Sequence, residues 1–150
     1  MTIFSRRNML AGVFAAALAL ATQSTAAAPV LPNPVLTFIG QEFSQSQGKQ
    51  ITRYLFDVAN KDEYPADMFA AAPMLPPCGT NKKASRTWVD IYDQNGKRLN
   101  GFCALGKPAD LNRIWFALDS DEVPPSWVYV ELTDRKTNMK YKSNLAETTL

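Results

Sequence analysis

No histidine occurs among the 150 residues. Ser-His-Asp and Cys-His nucleophile systems, imidazole metal sites and histidine pH switches are therefore all excluded. Charge is scarce at the start: Arg6 and Arg7 are the only charged side chains before Gln41. Without those two, 14 of the 16 basic residues remain against 14 acidic ones, so the rest of the chain is neutral. A neutral chain has no long-range field to gather phosphates, and nucleic acid is not the expected partner. Hydrophobic residues at 46% and aromatics at 11% exclude wholesale disorder. The length suits one domain with one core.

The first 28 residues read as an address. A basic start, Ser5-Arg6-Arg7-Asn8, precedes an uncharged apolar run from Met9 to about Ala21, then small residues from Thr22 to Ala28. That layout is a cleavable secretory signal. Ser24 and Ala26 suit signal peptidase, giving a cut within Ala26–Pro29 and a mature start near Ala27. The run of about 13 residues spans roughly 20 Å as a helix, short of the ~30 Å hydrocarbon core, so no membrane anchor is expected after cleavage. Ser5-Arg6-Arg7 followed by Leu10 resembles a bacterial twin-arginine signal, and a general secretory signal fits as well. Either route leaves the protein periplasmic or secreted.

Cys78 and Cys103 are the only cysteines. An even count in an exported chain reads as one disulfide. Closing a loop of about 25 residues stabilises by roughly 3 kcal/mol in the chain-entropy model. A redox pair would favour C-x-x-C spacing, and two thiolates without histidine make a poor zinc site.

Beyond a Pro-rich extended lead-in (29–34) with no core to join, the patterning is that of strands. Val35–Ile39 is a short run ended by Gly40, and polar Gln41–Gln50 reads as a turn or loop. Ile51–Val58 alternates, with Tyr54, Phe56 and Val58 on one face. Ala66–Ala72 suits a helical turn or two before Pro73, Pro76 and Pro77. Arg86–Tyr92 and Arg98–Leu105 flank Asn95-Gly96, a hairpin signal whose two turn residues are expected to take positive φ. Leu111–Leu118, Trp127–Leu132 and Met139–Tyr141 complete about seven strands, and the polar tail 143–150 is expected to fray. The fold class is all-β, a single two-sheet antiparallel sandwich over 35–142.

Trp88-Val89-Asp90-Ile91-Tyr92-Asp93-Gln94-Asn95-Gly96 resembles the central hairpin of bacterial immunoglobulin-like or fibronectin type III-like domains. Pro125-Ser126-Trp127-Val128-Tyr129-Val130-Glu131-Leu132 resembles their penultimate strand. The cysteines, 25 apart, are too close for the immunoglobulin inter-sheet bridge, and Tyr129 does not precede a cysteine by two. The resemblance implies a scaffold for adhesion, recognition or spacing, with no particular ligand.

Chemistry has few candidates. Asp119-Ser120-Asp121-Glu122 offers hard oxygens but lacks the six to eight donors and the glycine of a calcium loop, so no metal site is assigned. Asp57, Asp90, Glu131 and Asp134 could supply a glycosidase pair, yet three of them alternate with apolar residues as solubility charges do. Ser85 with Lys82 or Lys83 lacks S-x-x-K order. No catalytic residue and no cofactor is expected. Trp88, Tyr92, Trp115, Trp127 and Tyr129 fall opposite the aliphatic stripe of their strands. Exposed, they would form an aromatic platform for sugar rings or a hydrophobic partner; covered, for example by the 59–85 segment, they would be packing. The expected role is non-enzymatic binding of a protein, envelope or glycan component. A carbohydrate-binding module or a small carboxylate-based enzyme is the alternative.

Overall fold

The computed structural model describes residues 30–76, 85–103 and 106–149. The described residues form eight strands: β1 (Leu36–Ser46), β2 (Lys49–Val58), β3 (Thr87–Asp93), β4 (Arg98–Cys103), β5 (Ile114–Asp119), β6 (Trp127–Asp134), β7 (Met139–Lys142) and β8 (Ala146–Glu147), with period-two burial clearest in β3 and β6. They form two antiparallel sheets, one of order β1-β2-β5 and one of order β4-β3-β6-β7, with β8 following β7 along the same side of β6.

Each sheet turns one set of alternating side chains into a shared core. β2 and β5 contribute Tyr54, Phe56, Val58, Ile114 and Phe116; β3 and β6 contribute Val89, Ile91, Val128, Val130 and Leu132. Tyr54 and Phe116 stack with centroids 4.9 Å apart, and Phe38 tilts onto Phe56 at 5.3 Å. Such pairs add modestly to the burial of the rings. Between β2 and β3 the chain makes 3-10 turns at Lys61–Glu63 and Ala66–Phe69, and Tyr64, Met68 and Phe69 fill one end of the core.

Several local expectations need correcting. Strand β1 does not stop at Gly40; it passes through a bulge between Phe38 and Gly40, where Gly40 takes φ 140°, and runs on to Ser46. Residues 41–50 are hairpin rather than loop, turning only at Gln47 (φ 51°) and Gly48 (φ 80°). The Asn-Gly hairpin closes differently too. Only Gly96 has positive φ (83°), because Asp93 makes the turn, accepting from the Asn95 and Lys97 N–H groups at 2.8 Å each. Residues 108–113 form a 3-10 turn that buries Leu111 before β5 begins at Ile114.

Both ends of the described chain are tied down. Leu31 packs on the core, and the Tyr64 hydroxyl donates to the Pro32 carbonyl at 2.8 Å, so the lead-in does join the core. The tail is not frayed: β8 pairs with Trp127 and Val128, and buried Thr148 donates its N–H to the Ser126 carbonyl at 3.1 Å. Cys103 ends β4, buried, opposite Trp88. Cys78 lies outside the described residues, as do Lys82, Lys83 and the signal segment.

Candidate binding face

Because Val89, Ile91, Val128, Val130 and Leu132 point into the core, Trp88, Asp90, Tyr92, Trp127, Tyr129 and Glu131 point outward from the five-stranded sheet. The register sets Tyr92 against Tyr129, Asp90 against Glu131 and Trp88 against Thr133. The two tyrosine rings stack with centroids 5.2 Å apart and planes 19° apart. Neighbouring strands supply cations. Lys142 Nζ lies 3.9 Å from the Tyr129 ring centroid, and the Arg98 guanidinium 5.6 Å from that of Trp88. Arg98 also donates to Asp90 at 2.5 Å, and Lys140 to Glu131 at 2.7 Å. One row of ion pairs, at Asp90 and Glu131, therefore lies between Trp88 and the tyrosine stack.

Gly101 on β4 belongs to this construction. It sits opposite Asp90, and a Cβ there would occupy the space of the Arg98–Asp90 pair. Burial, then the Asp90 and Glu131 carboxylates, raise the Tyr92 phenol above its usual value. Trp127, 40% exposed, ends the row beside the β3–β4 turn, where its carbonyl accepts from the Gln94 N–H at 3.0 Å.

Trp115 is not part of this face. It lies on β5 opposite Leu55, beneath the Arg53 guanidinium at 5.0 Å, on the outer side of the other sheet. Four of the five predicted aromatics share a surface and the fifth is across the molecule. Of the 59–85 segment considered as their cover, Tyr64, Met68 and Phe69 enter the core instead, and 77–84 lie outside the described residues.

The carboxylates separate by environment. Asp57 pairs with Lys61 at 3.2 Å. Asp90 and Glu131 are direct cross-strand neighbours, each already held by its own cation. Asp119 pairs with Lys49 at 3.1 Å, and among the described residues no three potential ligand side chains converge as a metal site would require.

Asp134 differs from all of these. It is 2% exposed and accepts both Arg86 Nε and Nη2, at 2.8 and 2.9 Å, with Thr137 Oγ1 at 2.7 Å and the Lys136 N–H at 3.0 Å. The Arg86 guanidinium foremost holds the Asp134 carboxyl down to about 2. Arg86 spends its remaining nitrogen on Asp67 at 2.5 Å. Two grooves flank this triad. One of about 560 Å³ is lined by Val30, Leu31, Met68, Met139 and Tyr141; the other, of about 330 Å³, runs past Ala70 to Leu75. Nothing in the local sequence marks Arg86, since its partners lie 19 and 48 residues away. With both carboxylates bound, it brings no free charge to either groove.

The chain matches no protein-family model, no curated protein and no solved structure.

Proposed function

We propose that the chain is exported and acts as a non-enzymatic β-sandwich that binds a protein or envelope component through the outer face of its five-stranded sheet. The observation that supports this best is the Tyr92–Tyr129 stack, flanked by Trp88 and Trp127 and held rigid by cross-strand pairing. Rigid aromatics offer contact area at small entropic cost, which is what binding surfaces use. The carboxylates on that face are neutralised by neighbours, which favours binding over acid–base chemistry.

The strand order supports an immunoglobulin-like kinship. Constant-type domains place strands one, two, five and four against three, six and seven. Here the fourth strand sits beside the third instead, leaving one, two and five against four, three, six and seven. We infer in addition that Cys78 and Cys103 are bridged. Arg135 donates to the carbonyls of Pro76 at 2.6 Å and Ser85 at 2.9 Å, holding both flanks of the Cys78 segment beside β3, the strand paired with Cys103-bearing β4. An intact mass about 2 Da below the reduced value, with a start near Ala27, is the expected result for the purified protein.

Crosslinking of the processed protein in an envelope fraction, alongside a glycan array, tests the binding role. Trp127→Ala and Tyr129→Ala should each weaken capture by tenfold or more, on the scale of interface aromatics. Trp115→Ala, on the other sheet, should not. If all three variants capture the same partners as wild type, the face is not the binding surface. Exposed Trp127 beside the stacked tyrosines also suits a sugar ring, and glycan binding lost with Trp127→Ala would make the protein a carbohydrate-binding module. Catalysis by the outward carboxylates predicts an activity that Asp57→Asn, Asp90→Asn or Glu131→Gln removes.

A further inference from the structure

Strand β1 is a margin of its sheet: among the described residues β2 is its only paired strand. The direction of its main-chain groups follows from the register. The Val35 carbonyl accepts from Ala59 on the β2 side, and the N–H and C=O of Leu36 point the other way, to Asn144. Alternation continues through the bulge to the Ser46–Lys49 pair that closes the Gln47-Gly48 turn. Gln41, Phe43 and Gln45 therefore turn their main-chain groups away from β2. Thr149 lines an open hollow together with Phe38, Gly40 and Gln41 at one end of this stretch.

Proteins usually blunt such an edge with lysine, proline or a bulge. The stretch 41–46 has none of these, and its one charge, Glu42, is paired with Arg113. Its most conspicuous side chain is Phe43, 78% exposed.

We propose that this edge is a dimerisation site, taking the same segment of a second copy as an antiparallel strand with the two-fold axis at Phe43. Antiparallel pairing about a two-fold sets any segment against its own reverse, and Gln41-Glu42-Phe43-Ser44-Gln45 reads alike both ways at its three edge-directed positions. Phe43 meets its own counterpart, and Gln41 meets Gln45 on each side. All three edge-directed residues exchange N–H and C=O with their opposites, two bonds per facing pair. Glu42 falls opposite Ser44; the two Glu42 side chains are diagonal neighbours on one face, each already paired with its own Arg113. The two Phe43 rings come together on one face and shield each other from water. A foreign strand would gain the main-chain bonds but not this mirror match. The contact is narrow beside the ~1,600 Å² of a standard stable interface, so the dimer is concentration-dependent.

Sedimentation of the processed protein from micromolar to millimolar concentration tests this directly. The expected result is a monomer–dimer equilibrium. Phe43→Pro removes an edge-directed N–H while sparing the β1–β2 ladder, and should weaken dimerisation by at least about tenfold. Circular dichroism checks that this variant keeps its fold, and Phe43→Lys serves if it does not. Phe43→Cys should form an interchain disulfide under mild oxidation, since a facing pair brings Cα atoms to ~5.5 Å. Gln45→Cys, facing Gln41 instead, should not. A wild type that stays monomeric throughout overturns the proposal, as does a dimer indifferent to Phe43→Pro and Phe43→Lys. Protection of the β1 amides only on adding an unrelated extended peptide would assign the edge to a foreign strand and likewise overturn it.

Discussion

The side-chain amide of Asn144 stands in for a neighbouring strand against Leu36. Its Oδ1 accepts the Leu36 N–H at 2.8 Å and its Nδ2 donates to the Leu36 carbonyl at 3.0 Å. Leu36 opens β1 and Asn144 links β7 to β8, so one amide ties the two sheets together along one margin. The opposite margin is tied the same way, by Asn100 Nδ2 of β4 donating to the Trp115 carbonyl of β5 at 2.7 Å.

Asn144→Ala leaves both Leu36 groups without that partner in a part-buried place and should cost about 1–3 kcal/mol. Asn144→Asp keeps the acceptor and loses the donor, and should recover only part of that. Urea unfolding at neutral pH measures both. A variant as stable as wild type would show that water replaces the amide without loss.

The Asp134 carboxyl, held at about 2 by Arg86, couples folding to acidity. Its folded value is depressed, so the stabilisation is fully present above the ordinary carboxylate range and fades as pH falls through the folded value. The shift from 3.8 to about 2 corresponds to roughly 2 kcal/mol, lost between about pH 4 and pH 2. Asp134→Asn should lower stability at neutral pH and flatten that part of the profile. Unfolding free energies at several pH values decide it, and an unchanged slope would contradict the coupling.

Asp93→Ala removes the acceptor for two turn N–H groups and should cost about 1–2 kcal/mol. Asp93→Asn keeps a carbonyl oxygen in place and should retain most of the stability. Chemical denaturation of the pair tests whether the side chain or Asn95-Gly96 alone sets this hairpin.

Phe116 is fully buried between Tyr54 and Phe56. Phe116→Ala should cost about 3–5 kcal/mol and remove a large share of the stability of a domain this size. A loss below about 1 kcal/mol would mean the core refills the cavity.

Alternation made β2, β3, β5 and β6 legible, because Tyr54, Phe56 and Val58, Val89 and Ile91, Ile114 and Phe116, and Val128, Val130 and Leu132 enter the core at every second position. It also told which side of its own strand each aromatic occupies. It did not tell which sheet that strand joins, and so Trp115 was grouped with residues across the molecule. A turn was legible within 41–50, where Gln47 and Gly48 make it, but the strand arms around it were not, because polar edge residues resemble loop. The pairing of β8 with β6, and of Arg86 with Asp134, depends on contacts far apart in sequence that no local pattern announces.

The bulge at Ile39 bears on how this chain tolerates changes in length. Residues on both sides of it hold register with β2, Phe38 facing Phe56 and Gly40 facing Leu55, so Ile39 is supernumerary to the ladder. Deleting it would leave a regular strand with every later side chain on its present face. Deleting one residue anywhere from Gln41 to Gln45 would instead carry residues from one face to the other across part of the hairpin. Insertions and deletions passing through β1 in descendants of this chain should therefore accumulate at that one position.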